Sequence, residues 1–148
     1  MSAFSQAVVA FEQGKFERAK ELFTAAIDAD EDRALAHSKR GVCRLRCGDP
    51  SGAEQDFRAA LCVDDRCLSA IVNLGNLMLE RGMLDEAQQY YESALRIDET
   101  YAFAHYNLGV LHRRRGNFKA SVQELRLAAK YEAKPEAARK RLTWWKRR

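Results

Sequence analysis

Residues 73–95, NLGNLMLERGMLDEAQQYYESAL, return 34 positions later as NLGVLHRRRGNFKASVQELRLAA at residues 107–129. Gly75, Gly82, Ala87, Tyr91, Ala94 and Leu95 map onto Gly109, Gly116, Ser121, Leu125, Ala128 and Ala129, while most other letters change. The same shift run backwards gives Gly41, Gly48, Ala53, Phe57, Ala60 and Leu61, and then Ala7, Gly14, Ala19, Phe23, Ala26 and Ile27. Four units without insertion or deletion make a repeat, and a repeat dictates the architecture. Each unit reads as two helices. Ala87, Tyr90, Tyr91, Ala94, Leu95 and Ile97 recur at three- and four-residue steps, the period of one buried helical face, where a strand would alternate. Gly82 falls where the first helix has to stop, since glycine enters the left-handed conformation cheaply. Asp85 stands in the first turn of the next helix, where a carboxylate suits exposed N–H groups. Gly75 and Ala87 are small so that the paired helices cross closely, and Tyr91 fills the space beside them. Small residues set the helix spacing; exposed positions are free to vary.

The 148 residues are 47% apolar and 31% charged with a net charge of +4, the balance of one folded domain with a real core. No apolar run approaches the roughly 18 residues of a membrane span, and the N-terminus MSAFSQAVVAFEQGKFE has no cationic start, apolar stretch or cleavage site. A cytoplasmic location is therefore expected. Four cysteines with no export signal read as free thiols.

With Gly41, Gly75 and Gly109 placed eighth, the repeats run 1–33, 34–67, 68–101 and 102–135. The unit then resembles the tetratricopeptide repeat, which has small residues at its eighth, twentieth and twenty-seventh places and an aromatic at the twenty-fourth. The resemblance implies an all-α, right-handed superhelical solenoid of helix-turn-helix units forming a single domain. Departures are the loss of the proline near each unit's end and the replacement of the seventh-place leucine by Gln6 and Arg40. Pro50 opens a second helix, where its missing N–H costs nothing. Residues 136–148, EAARKRLTWWKRR, continue in phase as a capping helix: Ala138, Leu142 and Trp145 would lie on the fourth repeat under a basic outer side.

The resemblance also implies a concave face lined by the first helix of each unit. Carried over by position, it consists of Phe4, Val8 and Phe11; Leu35, Lys39, Val42 and Leu45; Val72, Asn73, Asn76 and Leu79; and Phe103, Tyr106, Asn107 and Val110. So apolar a line marks an interaction surface. Its asparagine amides suit the backbone of an extended peptide, although Asn73 and Asn107 could equally hydrogen-bond between helices. Family members that grip a C-terminal carboxylate use Lys, Arg and Asn at fixed places. Here the first window offers Phe4, Val8, Lys39, Ser69 and Asn73, and the second Ser38, Val42, Asn73, Phe103 and Asn107, without the cations. The last, Val72, Asn76, Asn107, Ala137 and Arg141, matches in part and adds Arg141 to the groove set.

Charge is lopsided: residues 1–33 hold 4 Lys and Arg against 7 Asp and Glu, and residues 102–148 hold 13 against 3. Arg113, Arg114, Arg115, Arg139, Lys140, Lys146, Arg147 and Arg148 would form a basic end that attracts an acidic protein, nucleic acid or anionic surface. Nucleic acid is the weaker of these, because no base-reading motif accompanies the charge. Catalytic chemistry is not indicated. His37, His105 and His112 sit at packing positions, and no phosphate loop or nucleophile-base arrangement stands out. Cys43 and Cys47 lie one turn apart, yet Cys62 and Cys67 do not complete a zinc spacing, so no metal or cofactor is expected. The resulting expectation is a non-enzymatic scaffold or adaptor binding a peptide or helix of another protein in its groove, with self-association through Trp144 or the bare first helix also open.

Overall fold

The computed structural model describes residues 1–132; the expected capping helix, 136–148, lies outside the described residues. Among those described there are eight helices and no strand: α1 (Ala3–Glu12), α2 (Phe16–Asp28), α3 (Arg33–Arg46), α4 (Pro50–Val63), α5 (Leu68–Glu80), α6 (Leu84–Ile97), α7 (Ala102–Arg114) and α8 (Phe118–Glu132). The fold is an all-α helical repeat. Contacts group the chain into two compact units, Met1–Leu77 and Met78–Arg148. No described helix is long and apolar enough to cross a membrane.

Four identical elbows join the helix pairs. Gly14, Gly48, Gly82 and Gly116 take φ of +76, +83, +76 and +78°, the left-handed region that the sequence assigned to them. Around each, the residue after glycine donates its N–H five residues back, as in Lys15 to Ala10 at 2.9 Å and Asp49 to Arg44 at 2.8 Å, which closes the helix end in a Schellman motif. The following helices start differently. Asp49 accepts from the Gly52 N–H at 2.9 Å and Asn117 from the Ala120 N–H at 3.2 Å, whereas Lys15 and Met83 at the same repeat position give no side-chain cap.

Small residues fix the spacing within hairpins. A β-carbon at Gly41 of α3 would stand 2.6 Å from Phe57 Cε1 of α4, and one at Gly109 of α7 would stand 2.8 Å from Leu125 Cδ2 of α8. In the first unit Ala7, Ala10, Ala19, Phe23, Ala26, Ala36 and Cys43 form the core, with Phe4 and Phe11 edge-on to Phe23 at 5.8 and 6.4 Å between centroids. In the second, Ala87, Tyr91, Ala94, Ala104, Leu108, Leu111 and Ala128 are buried. Ser121 stands where the other repeats have alanine and donates its hydroxyl to the Gly109 carbonyl at 2.7 Å.

Arg40, the departure from the seventh-place leucine, has a structural reason. Its guanidinium holds the buried Asp56 of α4 through Nη2 to Oδ1 at 2.6 Å and Nε to Oδ2 at 3.0 Å, and reaches Thr24 of α2 at 3.1 Å. Arg44 Nε approaches Asp56 Oδ2 at 3.3 Å and His37 Nδ1 approaches Oδ1 at 3.4 Å. One buried carboxylate thus gathers three cationic or polar partners from one side of α3. A related pair recurs two repeats on: His105 Nδ1 lies 2.7 Å from Glu124 Oε2, and its Nε2 donates to the Glu99 carbonyl at 2.7 Å. In the first and third repeats the equivalent places hold Ala3 with Leu22 and Ile71 with Tyr90. Polar and apolar hairpin pairings therefore alternate along the chain.

Candidate functional site

The first helices carry the expected groove residues, and the two compact units present them separately. In the first unit, Phe4, Val8 and Phe11 line one side of α1 and are half-buried. Glu31 fixes the start of that helix by accepting from the Phe4 N–H at 2.9 Å. Phe11 packs edge-on to Phe16 with centroids 5.6 Å apart, and Lys39 Nζ of α3 lies 5.2 Å from its ring centroid, within cation–π range. Leu35 is exposed, Leu45 is half-buried and Val42 is buried. On α5, Val72 is buried while Asn73 and Asn76 are half-buried. Ser38 of α3 and Ser69 of α5 share a hydrogen bond of 2.6 Å, which ties together two helices of this face.

In the second unit Leu79 is buried, and Phe103, Tyr106 and Val110 are half-buried on α7, with Phe103 tilted against Tyr101 at 5.6 Å. Asn107 differs from its repeat counterpart Asn73. It is buried, and its Nδ2 donates to the Phe103 carbonyl one turn back at 2.9 Å, within its own helix.

A profile described as tetratricopeptide repeat matches residues 4–67 and one described as TPR repeat matches residues 75–116. The chain is a tetratricopeptide-repeat protein. Solved structures agree on the fold. A thermophilic TPR protein of Thermus thermophilus superposes with a TM-score of 0.80 at 21% identity, covering 90% of this chain and 75% of that one. The first TPR of Spaghetti (RPAP3), bound to the HSP90 peptide SRMEEVD, gives 0.68 at 22% identity over 77% and 90%. YrrB, described as a TPR protein with an unusual peptide-binding site, gives 0.66 at 21% over 92% and 70%. No curated protein matches the sequence.

Of the expected basic end of this tetratricopeptide-repeat chain, Arg113, Arg114 and Arg115 are described and exposed. Arg115 Nη2 meets Asp85 Oδ1 at 2.5 Å and Arg114 donates to the Leu79 carbonyl at 3.0 Å, so both are engaged by the preceding hairpin. Arg139, Lys140, Arg141, Lys146, Arg147 and Arg148, with Trp144 and Trp145, lie outside the described residues.

The thiols are free. Burial pushes the Cys43 pKa up to about 12, and burial also raises that of Cys67 and, together with the Glu17 carboxylate, that of Cys47. Such thiols stay protonated and are poor nucleophiles and poor metal ligands. Among the described residues no group of three or more His, Cys, Asp or Glu could hold a metal ion. His37 and His105 are drawn to Asp56 and Glu124 inside the hairpins, and His112 is half-buried.

Proposed function

We propose that the chain is a non-enzymatic adaptor that binds a peptide or helical segment of another protein along the first helices of its repeats. The observation that carries this reading is the side of α1 and α3 in the first unit. Phe4, Val8, Phe11, Leu35 and Leu45 leave apolar area partly accessible, Lys39 lies over the Phe11 ring, and Asn73 and Asn76 are half-buried on α5 of the same unit. Apolar area of this kind suits alternate side chains of a ligand, and amides suit its backbone. Two structural relatives, one solved with a bound peptide and one described as having an unusual peptide-binding site, support the same class of ligand. Asn107 is no part of the surface in this reading, because its amide is spent on its own helix. A cytoplasmic setting goes with the four free thiols.

The test is affinity capture from the source cell, with wild type beside a variant carrying Leu35→Glu and Asn73→Ala. Both positions are at least partly accessible, so the melting temperature should hold while partners fall roughly tenfold or more. Partners retained in full by the variant would overturn the groove assignment. The alternative reading, an acidic protein or nucleic-acid surface held by the basic end, is favoured by the exposure of Arg113, Arg114 and Arg115. It predicts binding that Arg113→Glu abolishes and Leu35→Glu leaves intact.

A further inference from the structure

Every repeat carries an apolar residue at its tenth place: Val9, Cys43, Leu77 and Leu111. Cys43, Leu77 and Leu111 are buried, whereas Val9 is 39% exposed. Within the first unit the reason is visible, since Cys43 of α3 joins Ala19, Phe23 and Ala26 of the preceding helix α2 in one core cluster. Helix α1 is the first of the eight described helices, and Val9 on it is exposed.

The complementary opening is on α8. Phe118 is 66% exposed and Val122, one turn on, is 46% exposed. Leu125 is half-buried where Phe23, Phe57 and Tyr91 of the other repeats are fully buried. The counterpart of Phe118 in the first repeat, Phe16, is covered by Arg46 of α3, whose guanidinium carbon lies 4.9 Å from the ring centroid. Where Val122 stands, the other repeats have Lys20, Glu54 and Gln88, so an outward valine is not the habit of this repeat. Charge differs between the two ends as well. Residues 1–33 hold 4 Lys and Arg against 7 Asp and Glu, while residues 102–132 hold 6 against 2. Lys119, Arg126 and Lys130 are exposed on α8, and Glu12, Glu17 and Glu21 are exposed on α1 and α2.

We propose that the outward side of α8 receives α1 of a second copy, head to tail, in the register in which α3 lies on α2. Val9 then meets Leu125 as Cys43 meets Phe23, and Glu12 arrives over Phe118 and beside Lys119. The geometry is heterologous: each copy contributes a different surface, so one of each remains open and association continues past the dimer. Opposite charge at the two ends favours this orientation over like-to-like pairing.

Sedimentation velocity on the full chain tests it, over a concentration series of wild type, Val9→Asp, Phe118→Asp and an equimolar mixture of the two variants. Both sites are exposed, so circular dichroism should show unchanged helix. Wild type should grow beyond the dimer with concentration, and each variant alone should associate roughly tenfold or more weakly. The mixture should form a one-to-one dimer and nothing larger, because each variant supplies the surface that the other has lost. A wild type that stops at a dimer, or a mixture no better than its components, overturns the head-to-tail contact. So does a wild type that stays monomeric. Hydroxyl-radical labelling of Phe118 in that monomer would then give the surface to residues 133–148 if the ring is protected, and to a partner of other sequence if it is not.

Discussion

At Gly41 and Gly48 the same residue type answers two different demands. Gly41 is helical, so alanine there would gain up to about 1 kcal/mol of backbone propensity. Its β-carbon, however, would stand 2.6 Å from the Phe57 ring inside a packed hairpin, and overpacking of that kind costs about 1–3 kcal/mol. Gly41→Ala should therefore lower the urea midpoint despite its better propensity. At Gly48 nothing lies within 4 Å of the added carbon, and the penalty of Gly48→Ala, about 1–2 kcal/mol, comes from φ +83° alone. Asn should recover part of it at Gly48 and none at Gly41. Asp56→Ala is expected to be more severe, about 3–5 kcal/mol, because it strands Arg40 and Arg44 in a largely buried place. A chain with Arg40→Met and Asp56→Leu should recover most of that loss in equilibrium unfolding, which would separate the burden of orphaned charge from the worth of the pair. The glycines were legible in the sequence because their periodicity exposes their role. The Asp56 cluster was not: Arg40 stands out as a departure from leucine, but its partner is 16 residues away on another helix, and spacing alone does not say which acid turns inward.

At the scale of the helix, the elbows differ in how the next helix begins. Asp49 and Asn117 cap their helices, whereas Met83, with φ −87° and ψ 72° beside Asp49 at −118° and 76°, holds a similar backbone without an acceptor. Met83→Asp should therefore stabilise the chain by about 0.5–1 kcal/mol in thermal or urea unfolding, and Asp49→Ala should destabilise it by about 1 kcal/mol. The helix pairs and their stops followed from the 34-residue period, since hydrophobic spacing and glycine both act locally. The candidate binding side was legible only as a set of positions. Asn73 and Asn107 occupy the same repeat place, yet one amide stands half-buried and the other bends back to Phe103, a choice made by packing neighbours rather than by sequence register. Cysteine chemistry divides along the same lines. Cys43, fully buried in α3, should resist alkylation at mildly alkaline pH while the exposed Cys62 at the end of α4 reacts, as mass spectrometry of native protein would read out. The same upward shift has a sign for stability: above the ordinary value near 9 the unfolded thiol ionises while the folded one keeps its proton, so stability falls as pH rises toward 12.

For the whole molecule, ionic strength distinguishes the two readings of its surface. Binding to the apolar side of α1 and α3 should change little between low and moderate salt, whereas a partner held by the arginines at the end of α7 should lose affinity steeply, as titrations at several salt concentrations would show. The alternation of hairpin pairings has a practical meaning for anyone who would lengthen or shorten this protein. The steric period is 34 residues, but the pairs His37–Asp56 and His105–Glu124 recur only after 68, so a duplicated 34–67 would set two buried acids in successive hairpins. The natural module for insertion or excision is accordingly a couple of repeats, and a designer who copies residues 34–101 as one block keeps every ionic and greasy interior beside the kind of neighbour it already has.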